Sequence, residues 1–129
     1  MTVLAFAGEL TNLKLFLRNT IVAGNGTSNL AKSSGSTITV DHSLVTVTST
    51  GVTLIDGRAD IPDIGWFKFD MREGRKYHLT AESPACRYGS RKHLLEDPAV
   101  DLDGKALCSR RPDAGCYFSD PIGLMLYVR

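Results

Sequence analysis

The sequence lacks most of what marks the commonest enzyme and transport classes. It holds three cysteines, Cys86, Cys108 and Cys116, an odd count that does not suggest a closed disulfide framework. They read as reduced thiols of a protein made in a cytoplasm, with a Cys108–Cys116 bridge across a short loop as the minor alternative. Neither sign of charge is in excess: 15 Lys and Arg stand against 14 Asp and Glu, a net of +1. That excludes a strongly basic nucleic-acid binder and an acidic tail protein as default classes. No apolar run approaches the roughly 18 residues that cross a bilayer. The N-terminal stretch carries no Lys or Arg and is broken by Gly8 and Glu9, so no secretory signal is read. A nucleophile elbow, a phosphate-cradling glycine loop and a His-Glu-x-x-His zinc motif are all missing.

What is present describes a folded domain. Hydrophobic residues make up 43% and charged residues 22%, close to a globular average. A chain of 129 residues buries roughly two-thirds of its unfolded surface without a metal or disulfide staple. It reads as one β-rich domain, 1–129, whose first 26 residues form a candidate docking segment.

Residues 27–53 are rich in Ser and Thr, and only Lys32 and Asp41 are ionised there. Thr37-Ile-Thr-Val40 and Leu44-Val-Thr-Val-Thr48 alternate apolar and hydroxyl side chains, the period of a half-buried strand. Asp41-His42-Ser43 between them has the length of a hairpin tip. Consecutive extended residues point apart, so no catalytic triad is read in these three. A third strand, Val52-Thr-Leu-Ile55, is closed by Asp56-Gly57. Leu13-Lys-Leu-Phe-Leu-Arg18 fits strand alternation, while Leu10, Leu13 and Leu17 also fit a helical stripe; strand is favoured.

Aromatics concentrate in the second half. Residues 64–70 and 75–80 read as a hairpin turning at Arg72-Glu-Gly74. His93-Leu-Leu-Glu-Asp97 reads as one helical turn, and the apolar run from Pro121 to Arg129 as a central strand. No internal repeat is apparent. Short strands with short turns predict a mainly β fold, an antiparallel β-sandwich or jelly roll. One long loop region, 81–119, with at most short helices, exceeds ordinary connection lengths and marks a working surface or short hidden elements.

That loop holds the candidate site chemistry. Cys86, His93, Cys108 and Cys116 are zinc-ligand types, but six, fourteen and seven residues intervene, none of them the close knuckle that pre-positions a thiolate pair. Asp97, Asp101 and Asp103 ahead of Gly104 resemble part of a calcium loop, although Ala99 and Arg110 stand where that loop needs its first ligand and its bidentate acid. No cofactor is expected from the sequence, with calcium the one considered possible. Trp66, Tyr88 and Tyr117 offer flat faces to a sugar ring, with Asp103 and Arg87 placed to bond its hydroxyls. Arg87, Arg91, Lys92, Arg110 and Arg111 are interleaved with Glu96, Asp97, Asp101, Asp103 and Asp113, a mixture that suits ion pairing or a protein interface better than nucleic acid.

Residues 75–128 resemble part of the galactose-binding bacterial lectin family of sugar-binding β-sandwiches. The resemblance rests on Lys76-Tyr-His-Leu-Thr-Ala81, Tyr88-Gly89, Asp103-Gly104 and Pro121-Ile-Gly-Leu-Met-Leu126. It covers less than half the chain. The family runs on into a further hairpin that supplies most calcium and sugar contacts, whereas this sequence stops at Arg129. The resemblance therefore implies a sandwich fold and transfers only Tyr88 and Asp103 of the site.

The function expected from these features is a non-enzymatic assembly module. Its most concrete form is a virion accessory or structural protein, a capsid decoration or a tail or baseplate component. It would work through protein–protein contacts and self-association, without nucleic acid or membrane. Strands with hydroxyls on one face and little charge bury well against a partner subunit. A carbohydrate-binding, lectin-like module is the alternative. A hydrolase using Cys86 or Cys108 with His93 is a third reading, which needs the base within hydrogen-bond reach of the thiol.

Overall fold

The computed structural model describes residues 12–26, 29–46, 51–95, 98–107 and 110–119. Six strands are present there: β1 Lys14–Arg18, β2 Ile21–Val22, β3 Thr37–Asp41, β4 Leu44–Thr46, β5 Thr53–Ile55 and β6 Arg58–Ile61. They form two three-stranded sheets, ordered β1-β3-β5 and β2-β4-β6, and every pairing within them is parallel. The chain runs along a strand of the first sheet, turns a corner, and runs along a strand of the second. It then returns to begin again one strand further on. This is a parallel β-solenoid of three coils. Coils two and three align residue for residue, with Thr39 against Thr53, Val40 against Leu54 and Asp41 against Ile55.

The antiparallel sandwich or jelly roll expected from the sequence is therefore corrected, and with it the sandwich fold implied by the lectin resemblance. Most strand locations agree with the expectation; the pairing does not. The cause lies in the corners. A two-residue type I′ hairpin needs two left-handed residues to reverse the chain. Here each corner has one: Asn19 (φ 50°), His42 (φ 48°) and Asp56 (φ 47°). At each corner this single left-handed residue accompanies a turn into the other sheet, and the strand that follows pairs there. The three occupy equivalent positions, one past the aligned Arg18, Asp41 and Ile55. His42 is thus a coil corner and not a hairpin tip.

Alternation then decides what is buried. Leu15, Leu17, Ile38, Val40, Val22, Val45 and Ala59 point between the sheets and pack together with Leu30 and Val52. The second sheet is covered on its other face too, where Ile21, Leu44 and Ile61 meet Phe67, Leu79, Ala85 and Ala114. Burial on both faces explains why Leu44 and Val45 are completely inaccessible, and parallel strands of this kind read as apolar pairs. The Ser43 hydroxyl, also inaccessible, fixes the middle corner. It accepts the Thr20 amide at 2.9 Å and lies 3.0 Å and 2.9 Å from the Leu17 and Asp41 carbonyls.

Residues 64–119 form a layer over the second sheet with little regular structure. The hairpin expected at 64–70 and 75–80 is a 3-10 turn, Ile64–Phe67, followed by one antiparallel bridge between Phe69 and Leu79. Asp63 caps that turn, its carboxylate accepting the Trp66 amide at 3.2 Å. Of the helical turn expected at 93–97, residues 96 and 97 lie outside the described residues; a 3-10 turn spans Arg91–His93 just before it. Side chains bonded to backbone hold the rest, so the long loop does contain short elements. The apolar run 121–129 and residues 1–11 of the candidate docking segment lie outside the described residues.

Candidate functional site

The coil corner is where the two layers meet. Asn19 clamps the loop: its side-chain amide donates to the Ser90 carbonyl at 2.8 Å and accepts the Ser90 amide at 2.7 Å. Gly89 must be a glycine for this contact, because a Cβ there would lie 2.9 Å from Asn19 Oδ1 and 3.0 Å from the Pro112 carbonyl. The next residues bring the Arg91–His93 turn onto the middle corner.

There Asp41, His42 and His93 converge. Among the described residues they are the only group of three potential metal-ligating side chains whose ligand atoms lie within 4.8 Å of one another. Asp41 Oδ1 is 2.5 Å from His42 Nδ1 and 3.0 Å from His93 Nε2, with Lys92 Nζ at 3.8 Å. His42 Nε2 faces Asp56 Oδ2 at 3.7 Å, one coil along. The left-handed backbone of His42 is what lets two consecutive side chains meet. The expectation that Asp41 and His42 point apart holds for extended backbone and fails at a corner. Burial alone would push the Asp41 carboxyl up; the His42 hydrogen bond, the His93 imidazole and Lys92 outweigh it and hold the group below its ordinary value.

The residues singled out from the sequence are spread over the loop layer. Trp66 is half-buried, edge-on to Phe67 at 5.4 Å, with the Arg58 guanidinium 5.3 Å from its ring centre. Tyr88 packs half-buried against the same core. Arg87 donates its amide to Asp113 Oδ1 at 2.6 Å. Tyr117 stacks on His78, ring centres 3.8 Å apart and nearly parallel, and His78 Nε2 lies 2.6 Å from Asp103 Oδ2. So Tyr117 and Asp103 are brought together through His78. No hydrogen bond or ring contact among the described residues joins them to Trp66, Tyr88 or Arg87.

Of the three carboxylates considered for calcium, Asp101 spends both oxygens on backbone: Oδ1 accepts from Asp103 and Lys105, and Oδ2 from Phe118, each at 2.9 Å. Asp103 is taken up by His78, and Asp97 lies outside the described residues. The cysteine set is not assembled either. The Cys86 thiol donates to the Thr80 carbonyl at 3.3 Å, His93 turns to Asp41, and Cys108 is not described. Cys86 and Cys116 are free thiols, and burial pushes both above the ordinary cysteine value, away from the reactive thiolate.

One carboxylate makes a pH-dependent brace outside this corner. Asp70, buried, receives the Arg72 guanidinium through Nε at 3.0 Å and Nη2 at 2.6 Å, and the Arg72 amide at 3.1 Å. These bonds, with the charge of Arg75, hold it far below the usual carboxylate range. A depressed carboxyl stabilises the fold fully above the unfolded value of about 3.9, and that contribution is lost as the pH falls below it. Asp70→Asn is therefore expected to melt below the parent at neutral pH. The gap should narrow as the pH drops through about 4 toward 2 in a series of thermal melts. A gap constant with pH would contradict this assignment.

The fold and its corner define a short parallel β-solenoid whose middle coil carries a buried Asp/His cluster. Comparison with protein-family models, with curated proteins and with solved structures finds no match to this chain.

Proposed function

We propose that this chain is an assembly module that joins copies of itself end to end through its coils. One observation carries the reading. Val40 in the middle coil is fully buried, while Leu54, aligned with it in the last coil, is 52% exposed. Beside them Asp41 is 6% exposed and the aligned Ile55 42%. The interior apolar column thus continues to the outer rim of β5 and meets no further strand among the described residues. Solenoids need a polar cap to stay soluble, and an uncapped strand edge is a template for pairing.

The occupant that fits is a second copy. β1 and β5 are the two edges of one parallel sheet, so β1 of one copy extends β5 of another in the existing direction and register. Leu17 then continues the Val40–Leu54 column, Phe16, itself 49% exposed, joins the new seam, and the stem of Arg18 comes beside Ile55. Such a contact is heterologous and grows beyond a dimer unless it closes into a ring. The nearly uncharged Ser/Thr-rich strands suit burial between subunits. A structural part of a larger particle, a virion accessory component above all, is the setting in which such growth is useful. The sugar-binding alternative has less support: His78 covers one face of Tyr117, and Trp66 already faces Arg58.

Sedimentation or light scattering tests this. The average mass should rise with concentration, and Leu54→Asp should return the protein to monomer with its melting temperature nearly unchanged, since the side chain is already half in water. A parent that stays monomeric at every concentration, or association untouched by Leu54→Asp and by Phe16→Asp, would defeat the proposal.

A further inference from the structure

We infer that Asp41, His42 and His93 form a binding site for a zinc-type divalent ion that ties the loop layer to the solenoid corner. The donor set is two imidazoles and one carboxylate, which suits zinc and its first-row neighbours rather than calcium or magnesium. Three protein ligands with a water in the fourth position is an ordinary tetrahedral zinc arrangement.

The second observation is independent of the cluster's composition. The His93 side chain is only 8% exposed, and its Nε2 is buried without a hydrogen bond. It lies 3.0 Å from Asp41 Oδ1, but without the alignment that a hydrogen bond requires. A buried imidazole nitrogen that makes no well-aligned hydrogen bond is costly and rare. It is aimed at the same carboxylate oxygen that His42 Nδ1 approaches at 2.5 Å. A metal ion would accept a lone pair from each of the three groups at once.

The three donor atoms lie within 4.8 Å of one another, and the two separations from Asp41 are close to what a metal site needs. With ligand bonds of about 2.0–2.2 Å, neighbouring donors of a tetrahedral site sit roughly 3.3 Å apart. The 2.5 and 3.0 Å contacts open by less than about 1 Å to reach that, through side-chain rotation. His42 Nε2 already faces Asp56 Oδ2 at 3.7 Å, the outer carboxylate that commonly orients a ligating histidine. Lys92 is the one opposing feature, its ammonium 3.8 Å from Asp41 Oδ1. Its side chain is 57% exposed and free to swing into solvent. The ion would bridge a corner and a loop that are far apart in sequence, adding a cross-link where Asn19 and Ser90 already clamp the first coil.

The test is zinc titration by calorimetry at pH 7.5, with cobalt(II) absorption as the probe of geometry. One zinc per chain is expected. Cobalt should give the strong visible bands of a tetrahedral site without the near-ultraviolet band of a thiolate ligand, which separates this site from the cysteines. His93→Gln and His42→Gln should each weaken zinc binding by about a hundredfold or more, the upper end of what even outer-shell changes cost. Lys92→Met should tighten it severalfold, and His78→Gln should leave it unchanged. The absence of saturable zinc uptake overturns the site. So do a thiolate band, and uptake that survives both histidine variants. If the histidine variants do not fold, the cobalt spectrum of the parent and the Lys92→Met affinity still decide the question.

Discussion

Phe67→Ala should cost about 3–5 kcal/mol in denaturant unfolding, a large share of the total stability of a domain this size. Phe67 is fully buried, between Trp66 at 5.4 Å edge-on and Phe69 at 5.7 Å stacked. It sits in the cluster where Leu44 and Ile61 of the second sheet meet Leu79, Ala85 and Ala114 of the loop layer. Removing the ring leaves a cavity that neighbours on the strands cannot collapse to fill, because their positions are fixed by ladder hydrogen bonds. The layer above has few backbone ladders of its own, so Phe67 is the main apolar attachment of that layer. Phe67→Leu, which keeps most of the volume, should cost less than half as much. A loss below about 1 kcal/mol for the alanine variant would mean that the loop layer is not held by this cluster.

The sequence carries the strands but conceals the coil. Alternation in Thr37–Asp41, Leu44–Thr46 and Thr53–Ile55 locates three strands, and Lys14–Arg18 resolves as a fourth. What alternation cannot supply is the partner of each strand, because an apolar face is satisfied equally by a hairpin neighbour or by the next coil. The repeat itself is hidden by unequal spacing: Phe16 aligns with Thr39 and Thr39 with Thr53, steps of different length. The corner slot holds Asn19, His42 and Asp56, three residue types that share only a tolerance for left-handed backbone. β2 is too short to show a period, and β6 is obscured by the charges of Arg58 and Asp60 on its outward positions.

The Asp/His cluster follows the same logic. Asp41 is one of two ionised residues in a long Ser/Thr stretch, and beside a histidine that isolation is the available signal. The chemistry of His93 is legible in the sequence, but its partner is not. Spacing groups it with cysteines in its own loop, whereas the fold brings the Arg91–His93 turn onto a corner built half a chain earlier. By contrast, Asp101 and Asp103 look like cation ligands because carboxylates spaced by two ahead of a glycine also make self-bonded turns, which is what they do here.

Gly57→Ala is the sharpest test of the coil corner and should destabilise by about 3 kcal/mol or prevent folding. A Cβ at residue 57 would lie 2.5 Å from the Val40 carbonyl oxygen and 3.0 Å from both the Ser43 carbonyl and Val40 Cγ1. Two of those atoms are backbone of the middle coil, and β3 and β4 are each paired on both edges, so they cannot retreat. The strain instead falls on β5 and β6, which lie on the far side with fewer partners. An alanine in open space normally gains about 0.4–1 kcal/mol by restricting the unfolded chain. Gly51→Ala supplies that comparison, because a Cβ there would meet nothing within 4 Å and its backbone is not left-handed. The two variants should differ in sign. Hydrogen exchange should show the Gly57→Ala loss concentrated in β5 and β6, since coils contact only their neighbours. End-to-end association should disappear with them, because the rim formed by Leu54 and Ile55 belongs to that coil. Equal behaviour of the two alanine variants would mean that the close approach at the third corner, and the stacked-coil arrangement resting on it, is wrong.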